Sequence, residues 1–164
     1  MINIRMTKLA IFPLAVFLLY APLTSDAKTF SAKVVRVIDG DTVQAYDGTT
    51  NTRIRLYGID APESNQAFGQ KAKQIMIQLV ANQVVHIQVH GQDVYGRMLG
   101  TIYLKNKDIN AIMVADGMAW AYRYKGRLIV PEYGALEQNA RNERKGLWSN
   151  PHSIEPRQWR KANN

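Results

Sequence analysis

From Thr29 to Tyr57 the chain reads as three short extended runs, with an Asp-Gly pair after the first and after the second, and this pattern constrains the fold more than any other stretch. Thr29–Ile38 is rich in Val and Ile, and Lys33 and Arg36 break its strict alternation, which predicts a strand carrying a bulge. Thr42–Tyr46 resumes the strand pattern. In 52–57, Thr52, Ile54 and Leu56 share one face while Arg53, Arg55 and Tyr57 share the other, the two-residue period of a half-buried strand. Asp39-Gly40 is a hairpin signal, because both central residues of a type I′ turn take positive φ, and Asp47-Gly48 is a second turn. On that reading Asp41 stands at the start of the second strand. A three-stranded meander is expected, with Arg55 on the face opposite Leu56.

The remaining elements fall into place by period. Ala72, Ile75, Met76, Leu79 and Val80 mark one face of a helix that follows the loop at 58–69 and ends near Asn82. Val85, Ile87 and Val89 alternate with His86, Gln88 and His90 in a fourth strand. Met98, Gly100, Ile102 and Leu104 line a fifth, with Arg97 at its mouth. Asp108 can cap a short buried helix, Ile109 to Asp116, that Gly117 stops. Residues 118–122 read as extended or irregular. A last helix runs from Pro131-Glu132 to Gly146 on an inner stripe of Tyr133, Leu136 and Ala140. Five strands with a helix between the third and fourth is the order of an OB-fold, a Greek-key β-barrel, here with about three α-helices. Residues 28–149 make one domain. The basic tail, 150–164, is expected on the surface, pinned by Trp148 and Trp159.

Residues 1–27 stand apart. Arg5 and Lys8 precede an uncharged apolar run, Leu9 to Leu23, and Ser25 and Ala27 occupy the −3 and −1 places of a small-residue cleavage site. A signal peptide cleaved after Ala27 is expected, which makes the chain exported, either secreted or periplasmic. The run is shorter than the roughly 20 residues of a membrane span and contains Pro13 and Pro22, which disfavours an uncleaved anchor. The 164 residues carry a net charge of +8, and losing Arg5, Lys8 and Asp26 with the leader lowers it by a single unit. Such an excess suits a polyanion: nucleic acid, polysaccharide or anionic lipid. There is no cysteine, which excludes disulfides, thiolate nucleophiles and thiolate metal sites. His86 and His90 belong to a strand pattern and not to a transition-metal site.

Chemistry concentrates in three stretches. Arg55-Leu-Tyr-Gly-Ile-Asp60-Ala61-Pro62-Glu63 places a fixed positive charge and two carboxylates within nine residues. A guanidinium can hold a phosphate, a carboxylate can hold a hard cation, and a second carboxylate can take a proton from water. Asp39-Gly40-Asp41 is ordinary turn chemistry as far as Asp39 goes, but a turn does not require the second acid. Tyr95-Gly96-Arg97 offers another guanidinium at the start of the fifth strand. Tyr122, among Arg123, Lys125 and Arg127, can stack on a base or cap the core.

Val37 through Thr42, then Arg55 through Glu63, then Tyr95-Gly96-Arg97 resemble, in that order, the three signature stretches of the staphylococcal-nuclease (thermonuclease) family, over about residues 30–149. The resemblance implies a Ca²⁺-dependent phosphodiesterase on an SNase-like barrel, an endonuclease that cleaves DNA and RNA to leave 3′-phosphates. It implies Asp41, Asp60 and the Ala61 carbonyl as metal ligands, and Glu63 as general base, directly or through an ordering hydrogen bond. Arg55 and Arg97 would be phosphate clamps, and Tyr95 and Tyr122 nucleotide contacts. DNA and RNA are then the partners; no stable protein partner, no membrane span after processing and a monomer are expected. Ala61 stands where the best-known member has threonine, and Val94 where it has lysine; the loop from Ser64 to Phe68 is shorter. The tail receives no catalytic role. The rival reading is a non-catalytic OB-fold nucleic-acid-binding protein, which would gain nothing from three acids in its groove.

Overall fold

The computed structural model describes residues 28–163, so the leader lies outside the described residues. Five strands build the barrel: β1 (Thr29–Val37), β2 (Thr42–Tyr46), β3 (Asn51–Leu56), β4 (Val84–Gln92) and β5 (Met98–Leu104). Their order is β3-β2-β1-β4-β5, antiparallel throughout. A parallel pairing of β3 with β5 (Ile54↔Met98, Arg55↔Leu99, Leu56↔Gly100) closes the sheet on itself. Closure pairs the end of β3 with the start of β5 and fixes where the two strands lie relative to one another. The inward residues of each strand, among them Val34, Val43, Ile54, Leu56, Val85, Ile87 and Ile102, are fully buried.

The bulge expected in β1 is present: the β1–β2 register shifts between Val34 and Arg36, and Val35 turns outward, where it is exposed. The Asp39-Gly40 turn differs from expectation. Neither residue takes a positive φ, so this is not a type I′ hairpin; the strand begins at Thr42 and Asp41 lies within the bend. Gly40 is needed for space instead. A Cβ there would come within 2.8 Å of the Cβ atoms of Ala61 and Ala72. The glycine lets the turn close onto the loop that carries Asp60.

Four helices cover the barrel. α1 (Gly69–Val80) buries Ala72, Met76 and Val80 against it. α2 (Ile109–Ala115) is capped by Asp108, whose side chain accepts the Ala111 N–H, and buries Ile109, Met113 and Val114. α3 (Glu132–Asn142) is shorter than expected and is followed by a 3₁₀ turn, Gly146–Ser149. Trp148 in that turn meets Trp120 edge-on at 5.0 Å in a second small core. α4 (Pro156–Asn163) belongs to the tail. No helix among the described residues is long and apolar enough to cross a membrane.

Two polar devices hold the strand ends that matter for the cleft. Asn110, wholly buried, accepts the Ile102 N–H (3.1 Å) and donates to the carbonyls of Tyr57 (2.9 Å) and Gly100 (3.1 Å), which ties the residue after β3 to the middle of β5. Glu137 on α3, also buried, pairs with Arg123 (2.7 Å) and Arg141 (2.6 Å). Arg123 also donates to the carbonyl of Ala121 (2.8 Å). Trp120–Ala121 in turn pairs antiparallel with Ile59–Asp60. Asn110→Ala strands a buried amide and removes a donor from two carbonyls, and is expected to lower the free energy of unfolding by about 2–4 kcal/mol. A urea titration checks this; a loss under about 0.5 kcal/mol would mean that the amide bridges contribute nothing.

Candidate active site

β3 presents Arg55 to one end of the barrel, and its terminal nitrogens meet two carboxylates. Nη1 lies 2.7 Å from Asp41 Oδ2 and Nη2 lies 2.8 Å from Asp60 Oδ1. The Asp41 contact is an ion pair without hydrogen-bond alignment, since Nη1 has no well-directed acceptor. Asp41 is further held by the Ala61 N–H, which donates to Oδ2 (2.7 Å), and by the Thr42 hydroxyl, which donates to Oδ1 (3.0 Å). Its own carbonyl accepts the Leu56 N–H (2.8 Å). The bend after β1 and the loop after β3 are thus pinned to each other through one aspartate.

Glu63 is placed by a close backbone approach. A side chain at Gly69 would run into the Glu63 carbonyl, so the first residue of α1 must be glycine for the loop to pass. Gln66 accepts the Glu63 N–H (3.1 Å), and the Glu63 side chain faces the cleft half-exposed. From the other wall, Asp93 shapes the turn before β5: its Oδ1 accepts the N–H groups of Tyr95 (2.9 Å) and Arg97 (3.0 Å), and its Oδ2 accepts from Arg97 Nε (2.7 Å). The Arg97 guanidinium lies 5.5 Å from the Tyr95 ring.

All eight residues singled out in the sequence, Asp41, Arg55, Asp60, Ala61, Glu63, Tyr95, Arg97 and Tyr122, line one cleft of about 790 Å³. They are not equally committed. Asp41, Asp60 and Arg55 form a buried cluster, whereas Tyr95 stands on the lip, 81% exposed. Sequence reasoning missed Asp39 as a member, and also Arg53, Asp93, Tyr124 and Arg160. Tyr124 alternates with Tyr122, and Arg53 shares the Arg55 face of β3; both signals were available. Arg160 comes from the tail, where no sequence pattern pointed to the cleft.

Burial works against the charge of two of the acids. Burial, followed by the nearby Asp41 carboxylate, pushes Asp39 up to about 6. Burial also raises Asp60, and repulsion from Asp41 adds to it, against the opposing pull of Arg55. Arg55 itself stays firmly charged: burial disfavours its cation, but Asp41 and Asp60 more than offset that. Among the described residues no three Asp, Glu or His side chains converge into a ready-made metal cage. The donors present are hard carboxylate oxygens in a place that disfavours their own negative charge. That chemistry fits a hard divalent cation with water and ligand oxygens completing its shell.

Asp39 carries a pH prediction. Its folded value of about 6 lies above the ordinary 3.8, so the carboxyl costs the fold nothing below about pH 4; the cost grows as the pH rises to about 6 and is complete above it. Asp39→Asn keeps the acceptor for the Asp41 N–H (2.9 Å) and drops the charge. In chelator-containing buffer the variant is expected to melt above the parent near neutral pH and together with it near pH 4. Equal melting at both values would remove Asp39 from the electrostatic cluster.

Residues 53–150 match the family described as "Staphylococcal nuclease homologue". The chain is 42% identical over 160 residues to "Protein ParB" of Escherichia coli, covering 92% of this chain and 89% of that one. It is 44% identical over 142 residues to "Micrococcal nuclease" of Shigella flexneri, covering 81% and 82%. It is also 40% identical over 132 residues to an "Uncharacterized endonuclease" of Haemophilus influenzae, covering 80% and 73%.

Proposed function

The chain belongs to the staphylococcal nuclease family, and from that membership and its cleft we propose that it is a Ca²⁺-dependent nuclease hydrolysing phosphodiester bonds of both DNA and RNA to 3′-phosphate products. One observation carries the reading. Arg55 lies between the buried carboxylates of Asp41 and Asp60, in a cleft that Glu63 and Arg97 also line. A binder of polyanions has no use for carboxylates held at the floor of its groove, because they repel phosphate.

Asp41 and Asp60 would hold the calcium ion, with the Ala61 carbonyl beside them. When bound, the ion supplies positive charge for the phosphoryl oxygens. Glu63 takes a proton from the water that attacks phosphorus, directly or through an ordering hydrogen bond. The bond from phosphorus to the 5′ oxygen breaks, that oxygen leaves as a 5′-hydroxyl with a proton from solvent, and the phosphate stays on the 3′ side. Arg97 has Nε engaged with Asp93, which fixes its direction and leaves its terminal nitrogens for a phosphate. Arg55 directs only part of its five N–H donors at Asp41 and Asp60, and the rest can stabilise the extra charge of the pentacoordinate transition state. Tyr95 and Tyr122 offer ring faces at the cleft rim for the nucleotide. The net charge of +8 draws the polyanion in.

The leader pattern supports export, with the mature chain beginning at Lys28; sequencing the amino terminus of the processed protein tests this. The activity test is purified protein with plasmid DNA and with RNA, in Ca²⁺ or in chelator. Ca²⁺-dependent loss of both substrates is expected, and a salt-sensitive gel shift without cleavage would favour the pure binder. Glu63→Gln is expected to lower the rate by about 10²–10⁴ and Arg97→Ala by about 10²–10³. Both side chains are partly exposed, so neither change threatens the fold. Rates within about threefold of the parent would remove these residues from the chemistry.

A further inference from the structure

The tail is anchored on the loop that carries Glu63. Gln66, whose side-chain oxygen accepts the Glu63 N–H, donates from Nε2 to the carbonyl of Ile154 (2.6 Å). Ser153 Oγ donates to the Leu147 carbonyl, and Pro156 is buried at the start of α4. Trp159 Nε1 reaches Asn65 Oδ1 at 3.3 Å. The next residue, Arg160, is thereby delivered to the acids. Its Nη1 lies 2.6 Å from Glu63 Oε1, and its Nη2 lies 3.1 Å from Asp60 Oδ2.

Both oxygens of Asp60 therefore face a guanidinium: Oδ1 that of Arg55, with Arg160 Nη1 further off at 3.4 Å, and Oδ2 that of Arg160. The two arginines differ in freedom. The Arg55 side chain is 14% exposed and sits in the barrel wall, whereas that of Arg160 is 38% exposed and sits on the last helix. A hard cation approaches a carboxylate oxygen to about 2.3–2.6 Å, inside the shell a guanidinium nitrogen occupies, and repels that nitrogen's charge.

We propose that Arg160 competes with the divalent cation for Asp60, so that the C-terminal helix sets the affinity of the cleft for the ion. When the ion takes Asp60, the repelled guanidinium of Arg160 withdraws from Asp60 and from Glu63, and α4 loses its ionic hold on the cleft. Glu63 is then released from its ion pair at the moment its carboxylate is needed. Arg160 is a positioning residue in this role: it acts through Asp60 and Glu63. The inference rests on the reading of the cleft as a calcium-dependent site.

The test is calorimetric titration of Ca²⁺ alone into the purified chain, without nucleic acid, for the parent, Arg160→Gln, Arg160→Lys and Trp159→Ala. Loss of one charge-assisted pairing is expected to tighten Ca²⁺ binding by about tenfold in Arg160→Gln. Arg160→Lys, which keeps the charge, is expected to stay near the parent. Trp159→Ala unhooks the helix without touching the acids and is expected to tighten binding in the same direction, which keeps the test alive if Arg160→Gln does not fold. In the parent, saturating Ca²⁺ is expected to speed tryptic cleavage at Arg157 and Arg160. Unchanged or weaker Ca²⁺ binding in both Arg160→Gln and Trp159→Ala would overturn the competition while leaving the calcium site intact. No binding heat in any of the four proteins would overturn both the calcium reading and this one.

Discussion

The guanidinium of Arg55 between Asp41 and Asp60 is the contact on which the cleft depends. A buried carboxylate without a partner is costly, and both are buried here. Arg55 offsets part of that burial, and a second guanidinium, Arg160, offsets more from outside. An upward pull remains on Asp39 and Asp60, first from burial and then from the Asp41 carboxylate. A cleft arranged in this way is not held together by its charges; the charges must be held by something else.

That support is the closure of the barrel. The parallel pairing of β3 with β5 aligns Arg55 with Leu99, which puts Arg97, one residue before β5, at the same end of the barrel as the acids. The Asn110 bridges reinforce this seam at Tyr57 and Gly100. The Glu137 pairs reinforce it more indirectly, through Ala121 and the short pairing of Trp120–Ala121 with Ile59–Asp60. Like-charged groups can be crowded in the cleft because the neutral Asn110 bridges and the Glu137 ion pairs lie behind it. A nuclease of this family thereby separates the work of folding from the work of the site.

The parts legible in the sequence were those governed by local rules. Alternation, and in β1 a Val- and Ile-rich run with a broken period, exposed the five strands, and the helical period exposed α1, because each depends on which face of one element is buried. The three signature stretches exposed seven of the eight cleft residues for the same reason, each being a short local run, and Tyr122 showed itself as an aromatic among basic residues. What failed were questions of space between segments. Asp39-Gly40 looked like a turn that needs positive φ, yet the glycine is there because Ala61 and Ala72 leave no room for a Cβ. Nothing within residues 37–43 carries that information. The tail failed in the same way. Pro156 through Arg160 shows a helix start and a cluster of basic residues, the ordinary look of a solvated end, and only the footing on Gln66 and Asn65 turns Arg160 inward.

The tail also bears on how a basic protein can keep an acidic floor. With a net charge of +8 the surface attracts phosphate, while Asp39, Asp41, Asp60 and Glu63 repel it at the point of reaction. A fixed arginine in the Arg160 position would satisfy the acids permanently and leave no reason for a cation to enter. A tail with no arginine would leave Asp60 and Glu63 facing each other with Arg55 as the main counterweight. An arginine on a terminal helix, held by one tryptophan and one backbone carbonyl, lies between these extremes. It supplies charge from an element whose departure disturbs no barrel strand. A divalent cation in its place would carry twice the charge and bring open coordination positions, which a guanidinium does not have.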